Sequence, residues 1–169
     1  MVVEGLYYAD GQPIAITIEN GLIVEVSREV SEHFESEYFI GPGLIDHQVN
    51  GYLSHSFVGG DLDAQDLRQV TEGFWSQGIT TFLPTLTTQT QERLLSGFQK
   101  LDQLLGQDSE VAQSIPGFHL EGPYISAEPG FRGVHNPEWI RPPDWQEFES
   151  WYQASGNRIL EVTVAPEVE

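Results

Sequence analysis

The chain of 169 residues carries seven basic and twenty-six acidic side chains, a net charge of −19 that argues against nucleic acid and anionic membrane as partners. Its 39% apolar and 11% aromatic content fits a globular protein with a core of its own. No apolar run approaches the ~18 residues of a membrane span, and the start "MVVEGLYYADG" lacks a basic-then-apolar signal, so a cytoplasmic location is expected.

Residues 1–40 read as short strands with turn punctuation. In "GLYYADGQPIAITIENGLIVEVS" the pairs Asp-Gly and Asn-Gly separate β-branched and aromatic runs. "PIAITIE" and "LIVEVS" form an expected hairpin, with Asn20 and Gly21 supplying positive φ. This small β element stands ahead of a main domain over 41–169.

From Phe39 the pattern changes. "FIGPGLIDHQVNG" is an apolar, strand-like run ending in polar residues and glycine. A helix is expected over about 62–76, where Leu67, Val70 and Phe74 recur at spacings of three and four and Gly78 marks the stop. "GITTFLPTLTT" (78–88) reads as a second strand. "TQERLLSGFQKLDQLLG" (90–106) reads as a second helix, with Leu94, Leu95, Phe98, Leu101 and Leu105 on its apolar face. "SIPGFHLEGP" holds a third strand, "PDWQEFESWYQASG" (143–156) a third helix and "RILEVTVAPE" (158–167) a fourth strand.

Strand and helix alternate at roughly 35 to 40 residues per unit, with strands apolar on both faces, which argues for parallel strands covered by helices. An open doubly wound sheet and part of a (β/α)8 barrel both fit. Neither G-x-G-x-x-G nor G-x-x-x-x-G-K-[ST] follows the first strand, so a nucleotide-binding open sheet loses support. The strand ends favour the barrel. Asp46, His47, Gln48 and Asn50, then Pro84 and Thr85, His119 and Glu121, and Pro166 and Glu167 stand at C-terminal strand ends, which converge on the mouth where active sites of that fold lie.

Glu121, fixed by the Gly122-Pro123 turn, is placed to bind a metal or take a proton, although a helix cap or an ion-paired loop acid also suits the position. His119, two residues earlier, points to the same strand face; a hydrogen-bonded interior histidine is the plainer expectation for it. With no cysteine in the chain, a metal would be held by His, Asp and Glu. "DHQVNG" departs from the D-x-H-x-H metal signature, because Gln48 and Asn50 occupy the imidazole positions and neutral amides are poor Zn²⁺ ligands. His47 between them is expected to face the helix layer. His135, in the glycine-bounded "GFRGVHNPEW", lies in a loop that can reach over the mouth, as a substrate contact or as an ordinary surface histidine. Serine, thiol and zincin chemistry lack a signature. The single lysine, Lys100, belongs on an outer helix face, so a phosphate site would need arginine, helix N-termini or residues the chain lacks.

Taken in order, "PGLIDHQVNG", "GITTFLPTLTT", "GFHLEGPYIS", "RGVHNPE" and "VTVAPE" resemble the N-acetylglucosamine-6-phosphate deacetylases of the amidohydrolase superfamily. The resemblance runs from about residue 38 to the end, and "HLEGP" with "RGVHNPE" is its most specific part. The fold it implies is α/β: about four βα units of a metal-dependent-hydrolase TIM barrel, incomplete over 41–169, behind a small β-sandwich segment over 1–40. The activity it implies is metal-dependent hydrolysis of the N-acetyl group of N-acetylglucosamine 6-phosphate to glucosamine 6-phosphate and acetate, in amino-sugar catabolism. Glu121 would be the metal ligand of the third strand, and Val134 with His135 would contact the amino-sugar phosphate. Gln48 and Asn50 match the branch of the family that keeps one divalent ion, Zn²⁺ first with Fe²⁺ or Co²⁺ as alternatives; Gln48, Asn50 and His119 would lie near it.

The family's catalytic aspartate, its two metal-binding histidines and its phosphate arginine belong beyond the fourth strand, past Glu169, so the resemblance places no catalytic residue in this chain. Since a whole barrel takes roughly 250 residues, the chain is expected to be an inactive N-terminal portion of a homo-oligomeric enzyme, with open sheet edges prone to self-pairing. Two other readings stand beside it. One is another amidohydrolase, dihydroorotase-like or isoaspartyl dipeptidase-like, which should show D-x-H-x-H; the other is a non-catalytic half barrel completed by dimerising.

Overall fold

The computed structural model describes residues 1–58 and 61–168. The chain divides into two compact units, Met1–Gly43 and Leu44–Glu169. In the first, β1 (Val2–Tyr7), β2 (Pro13–Glu19), β3 (Leu22–Ser27) and β4 (Phe39–Ile40) form one sheet of order β3-β2-β1-β4. The expected hairpin is β2–β3, antiparallel, turning through Asn20 at φ 51° and Gly21 at φ 78°; a two-residue turn of this twist needs both residues left-handed. Ile14 and Ala15 are buried, whereas Leu22, Ile23, Val24 and Val26 of β3 are each more than half exposed.

The run that begins at Phe39 is not one strand. Phe39 and Ile40 pair with β1, in parallel, through Leu6 and Tyr7. Gly41-Pro42-Gly43 then separates them from the next unit, since proline has no N–H for a ladder and glycine weakens a strand interior.

The second unit contains β5 (Leu44–Val49), β6 (Gly51–Tyr52), β7 (His55–Ser56), α1 (Ala64–Trp75), β8 (Ile79–Thr87), α2 (Gln91–Leu105), α3 (Ser109–Ser114), β9 (Phe118–Glu121), α4 (Trp145–Ala154) and β10 (Ile159–Thr163). Its main sheet has the order β10-β9-β8-β5, with every pairing parallel. The strands are laid down side by side in chain order. That is the winding of a barrel wall, and it lacks the reversal of a doubly wound sheet. The α/β class expected from the sequence is thus the class observed.

Helix starts follow local chemistry. Asp63 and Asp66 form a reciprocal capping box on α1, while Thr90, Asp108 and Asp144 cap α2, α3 and α4. The Val111 N–H and the Arg68 guanidinium hold the Asp108 carboxyl below the usual carboxylate range. The core joins Leu67, Val70 and Phe74 of α1 and Leu94, Phe98 and Leu101 of α2 to Phe82 and Leu86 of β8 and to Phe118 and Leu120 of β9. Leu83, Thr85 and His119 alternate with these strand residues and turn to the opposite sheet face. Among the described residues no helix is long and apolar enough to cross a membrane.

Candidate functional site

β9 carries the site because it is a regular strand of four residues: Phe118 and Leu120 enter the helix-covered core, which sends His119 and Glu121 to the other face. His119 is fully buried. Its Nε2 lies 2.8 Å from Thr163 Oγ1 and 4.0 Å from Glu161 Oε1, and its Nδ1 lies 3.4 Å from Thr85 Oγ1. Thr85 in turn accepts the Val49 N–H at 2.9 Å. This is the hydrogen-bonded interior histidine, and it ties β9 to β8 and β10.

Glu121 sits one layer further toward the strand ends, with its side chain 17% exposed. One carboxylate oxygen accepts the Asn50 amide at 3.2 Å, and the other lies 3.5 Å from His135 Nε2. His135 Nδ1 is 2.8 Å from Thr88 Oγ1. Through these contacts Asn50, Glu121, His135 and Thr88 form one connected polar chain, and the Thr88 hydroxyl also lies 3.4 Å from the Glu121 carbonyl. Asn50, Thr88, Glu121, Val134, His135 and Trp139 line a cleft of about 210 Å³. Glu121, Val134 and His135 also bound a second cleft of about 610 Å³, which reaches to Phe131, Arg132 and Pro166.

The loop bearing Val134 and His135 is anchored at both ends. Near its start, the Tyr124 hydroxyl is 2.9 Å from Glu147 Oε2 and 3.0 Å from the Asp144 carbonyl, and burial together with the Glu147 carboxylate pushes that hydroxyl's pKa up. Near its end, Arg141 reaches Glu147 at 3.0 Å and the Gln89 carbonyl at 3.0 Å, and its guanidinium lies 5.6 Å from the Trp151 ring. Glu147 of α4 therefore clamps both ends.

Gly122 makes the turn between Glu121 and this loop. Its peptide bond to Pro123 is cis, its φ is 74°, and a Cβ there would run into Thr88 Oγ1. Gly122→Ala is expected to cost about 2 kcal/mol or more and to displace Thr88 from His135. Gly130, at φ 96° with nothing within 4 Å of a built Cβ, provides the comparison. Gly130→Ala carries backbone strain alone, so thermal melts should place it well above Gly122→Ala; equal melting temperatures would refute the clash.

His47 is a correction to the sequence reading. Instead of packing on the helix layer it is 68% exposed, with Nδ1 3.0 Å from Glu161 Oε2, across the sheet from β5 to β10. A register irregularity between Asp46 and Val49 breaks the two-residue alternation behind that expectation. Gln48 is exposed, and its backbone N–H bonds the Asp46 carboxylate at 3.1 Å. Of the residues singled out beforehand, the structure brings Asn50, Glu121, Val134 and His135 together, leaves Gln48 outside this chain of bonds, and seats His119 beneath it. Sequence reasoning missed Thr88, although it stands at a C-terminal strand end as Thr85 does. It also missed Thr163, Glu161 and Arg141, which meet the site only through strand pairing and loop return.

A divalent ion needs several donors around one point. Among the described residues no group of three or more His, Cys, Asp or Glu is so placed. Glu121 is one carboxylate with its oxygens directed at Asn50 and His135, and these residues alone do not fit the ion that the sequence resemblance implies.

No family model matches the chain. Over 128 residues, 75% of its length, it is 30% identical to the N-acetylglucosamine-6-phosphate deacetylase of Bacillus subtilis, of which it covers 31%. The enzyme of that name from Vibrio furnissii is 27% identical over 162 residues, 92% of this chain and 39% of that protein. Among solved structures, the N-acetylglucosamine-6-phosphate deacetylase of Thermotoga maritima matches with a TM-score of 0.77 and 28% identity, over 100% of this chain and 43% of that one. The N-acetyl-D-glucosamine-6-phosphate deacetylase of Mycobacterium smegmatis, in complex with N-acetyl-D-glucosamine-6-phosphate, shares the fold with a TM-score of 0.82 at 24% identity, over 100% of this chain and 44% of that one. In sequence and in fold the chain is similar to the N-terminal part of N-acetylglucosamine-6-phosphate deacetylases, of which it spans less than half the length.

Proposed function

We propose that this chain supplies part of the substrate-binding mouth of a hydrolase that removes the N-acetyl group from N-acetylglucosamine 6-phosphate, releasing acetate and glucosamine 6-phosphate. The observation that carries the reading is the connected group Asn50, Glu121, His135 and Thr88 at the C-terminal end of a parallel sheet, where catalytic residues of barrel enzymes stand. The substrate is that of the deacetylases to which the chain is similar.

Amide hydrolysis needs a group to take a proton from the attacking water and a donor to the departing amine. Glu121 offers a carboxylate at the cleft wall, oriented by the Asn50 amide and 3.5 Å from His135 Nε2. Val134 and His135, on the anchored loop, would hold the sugar phosphate, and Trp139 lines the smaller cleft beside them. The family resemblance implies one divalent ion to polarise the carbonyl. The described residues fall short of such a site; Glu121 would be this chain's contribution, and further ligands would have to come from outside these residues.

The test is acetate release from N-acetylglucosamine 6-phosphate, measured for the intact protein containing this chain and for the 169 residues alone. Turnover by the intact protein and none by the isolated chain is expected. An intact protein that leaves this substrate untouched while hydrolysing a cyclic amide or an isoaspartyl peptide would replace the reading with another amidohydrolase activity.

A further inference from the structure

We propose that Arg132 is the anion-recognising side chain of the loop carrying Val134 and His135, and that it makes the site prefer a phosphorylated amino sugar to a neutral one. This rests on the deacetylase reading and adds a specificity residue to it.

The argument begins with charge. Seven basic residues face twenty-six acidic ones, and most of the arginines are held by carboxylates: Arg28 by Asp10, Arg68 by Glu72, Asp108 and Glu110, Arg141 by Glu147, and Arg158 by Asp102. Among the described residues Arg93, Lys100 and Arg132 have no such partner. Arg93 and Lys100 lie on α2, and Arg93 reaches the Gln89 side chain. Arg132 alone of the three lines the cleft that Glu121 and His135 bound.

Its placement is built in rather than incidental. The Arg132 N–H donates to the Glu128 carbonyl at 3.1 Å, and its own carbonyl accepts the His135 N–H at 3.2 Å, so the turn that sets Arg132 also sets His135. One guanidinium nitrogen donates to the Ala127 carbonyl at 3.3 Å. The other donors of the planar fork remain for a ligand, and that fork matches the oxygens of a phosphate. The other charged side chains of this cleft are Glu121 and Glu167, which disfavour an anion. In a protein this acidic, a phosphate ester needs a local cation to offset the field it enters.

The experiment compares kcat and KM of the intact protein for N-acetylglucosamine 6-phosphate and for N-acetylglucosamine, in wild type, Arg132→Gln and Arg132→Lys. Loss of a charge-assisted fork to a phosphate corresponds to roughly 10- to 100-fold. The expected result for Arg132→Gln is therefore a KM for the phosphorylated sugar raised about 30-fold, with kcat changed less than about 3-fold and the preference over the neutral sugar cut by the same 30-fold. Arg132→Lys should regain part of that loss, and inhibition by inorganic phosphate should weaken in step. A wild-type enzyme that turns over the phosphorylated sugar while Arg132→Gln matches it would overturn the inference and leave the deacetylase reading standing. Equal losses on both sugars would make Arg132 a loop brace acting through Ala127, which also overturns it. A wild type active on neither sugar removes the deacetylase reading and this inference together.

Discussion

Glu121→Gln in the intact protein is expected to lower acetate release from N-acetylglucosamine 6-phosphate by at least ~10²-fold, whether the lost carboxylate holds a cation or takes a proton, while leaving the fold in place. Glutamine keeps the shape, and its amide oxygen can still accept the Asn50 N–H that Glu121 accepts at 3.2 Å. What disappears is the negative charge opposite His135 Nε2, and with it the capacity to hold a cation or take a proton. The stability change should be small, since the pair is partly solvated and such interactions contribute about 1 kcal/mol or less, a shift of about 4 °C or less in melting temperature for a protein of this size. Turnover and a thermal melt on the same preparation therefore separate chemistry from folding. Unchanged turnover with an unchanged melt would assign Glu121 a structural role and favour a binding or assembly protein.

The division between what the sequence discloses and what it hides follows from locality. Helices are legible because Leu67, Val70 and Phe74, or Leu94, Phe98 and Leu101, repeat at the helical period, and because Asp63, Asp108 and Asp144 cap by bonds that span two or three residues. The shared face of His119 and Glu121 is legible because β9 is short and regular. The same rule fails on β5, where the irregularity after Asp46 turns His47 toward Glu161. The β6–β7 hairpin is hidden because Leu53 and Ser54 turn it at φ 50° and 68° without a glycine to announce it. Thr88 meets His135 across 47 residues, Asn50 meets Glu121 across 71, and His47 meets Glu161 across 114. No window along the chain contains such pairs, so the site's members could be nominated singly but its connections required the fold.

Trp151→Ala should be the most damaging single change to stability, at about 3–5 kcal/mol, a large part of the ~5–15 kcal/mol that folded domains possess. Trp151 is fully buried on α4. Its indole N–H donates to the Gln91 carbonyl at the start of α2, 3.2 Å away, its ring stacks 6.0 Å from Tyr124, and Arg141 lies over it at 5.6 Å. Alanine would remove the surface on which both anchors of the 122–144 loop rest, so the damage should extend from the core to the site. The melting temperature should fall by about 6–20 °C, at roughly 2–4 °C per kcal/mol. At temperatures where the variant stays folded, KM for the phosphorylated sugar should rise, because Val134 and His135 lose their fixed seat. Trp151→Phe keeps a ring under Arg141 and beside Tyr124 and gives up the Gln91 bond, a loss of about 1 kcal/mol plus some packing, so it should fall much closer to wild type. If Trp151→Ala melted within about 2 °C of Trp151→Phe, the packing of α4 against this loop would not be what holds Val134 and His135 over Glu121, and the tether would reduce to the Arg141–Glu147–Tyr124 bonds alone.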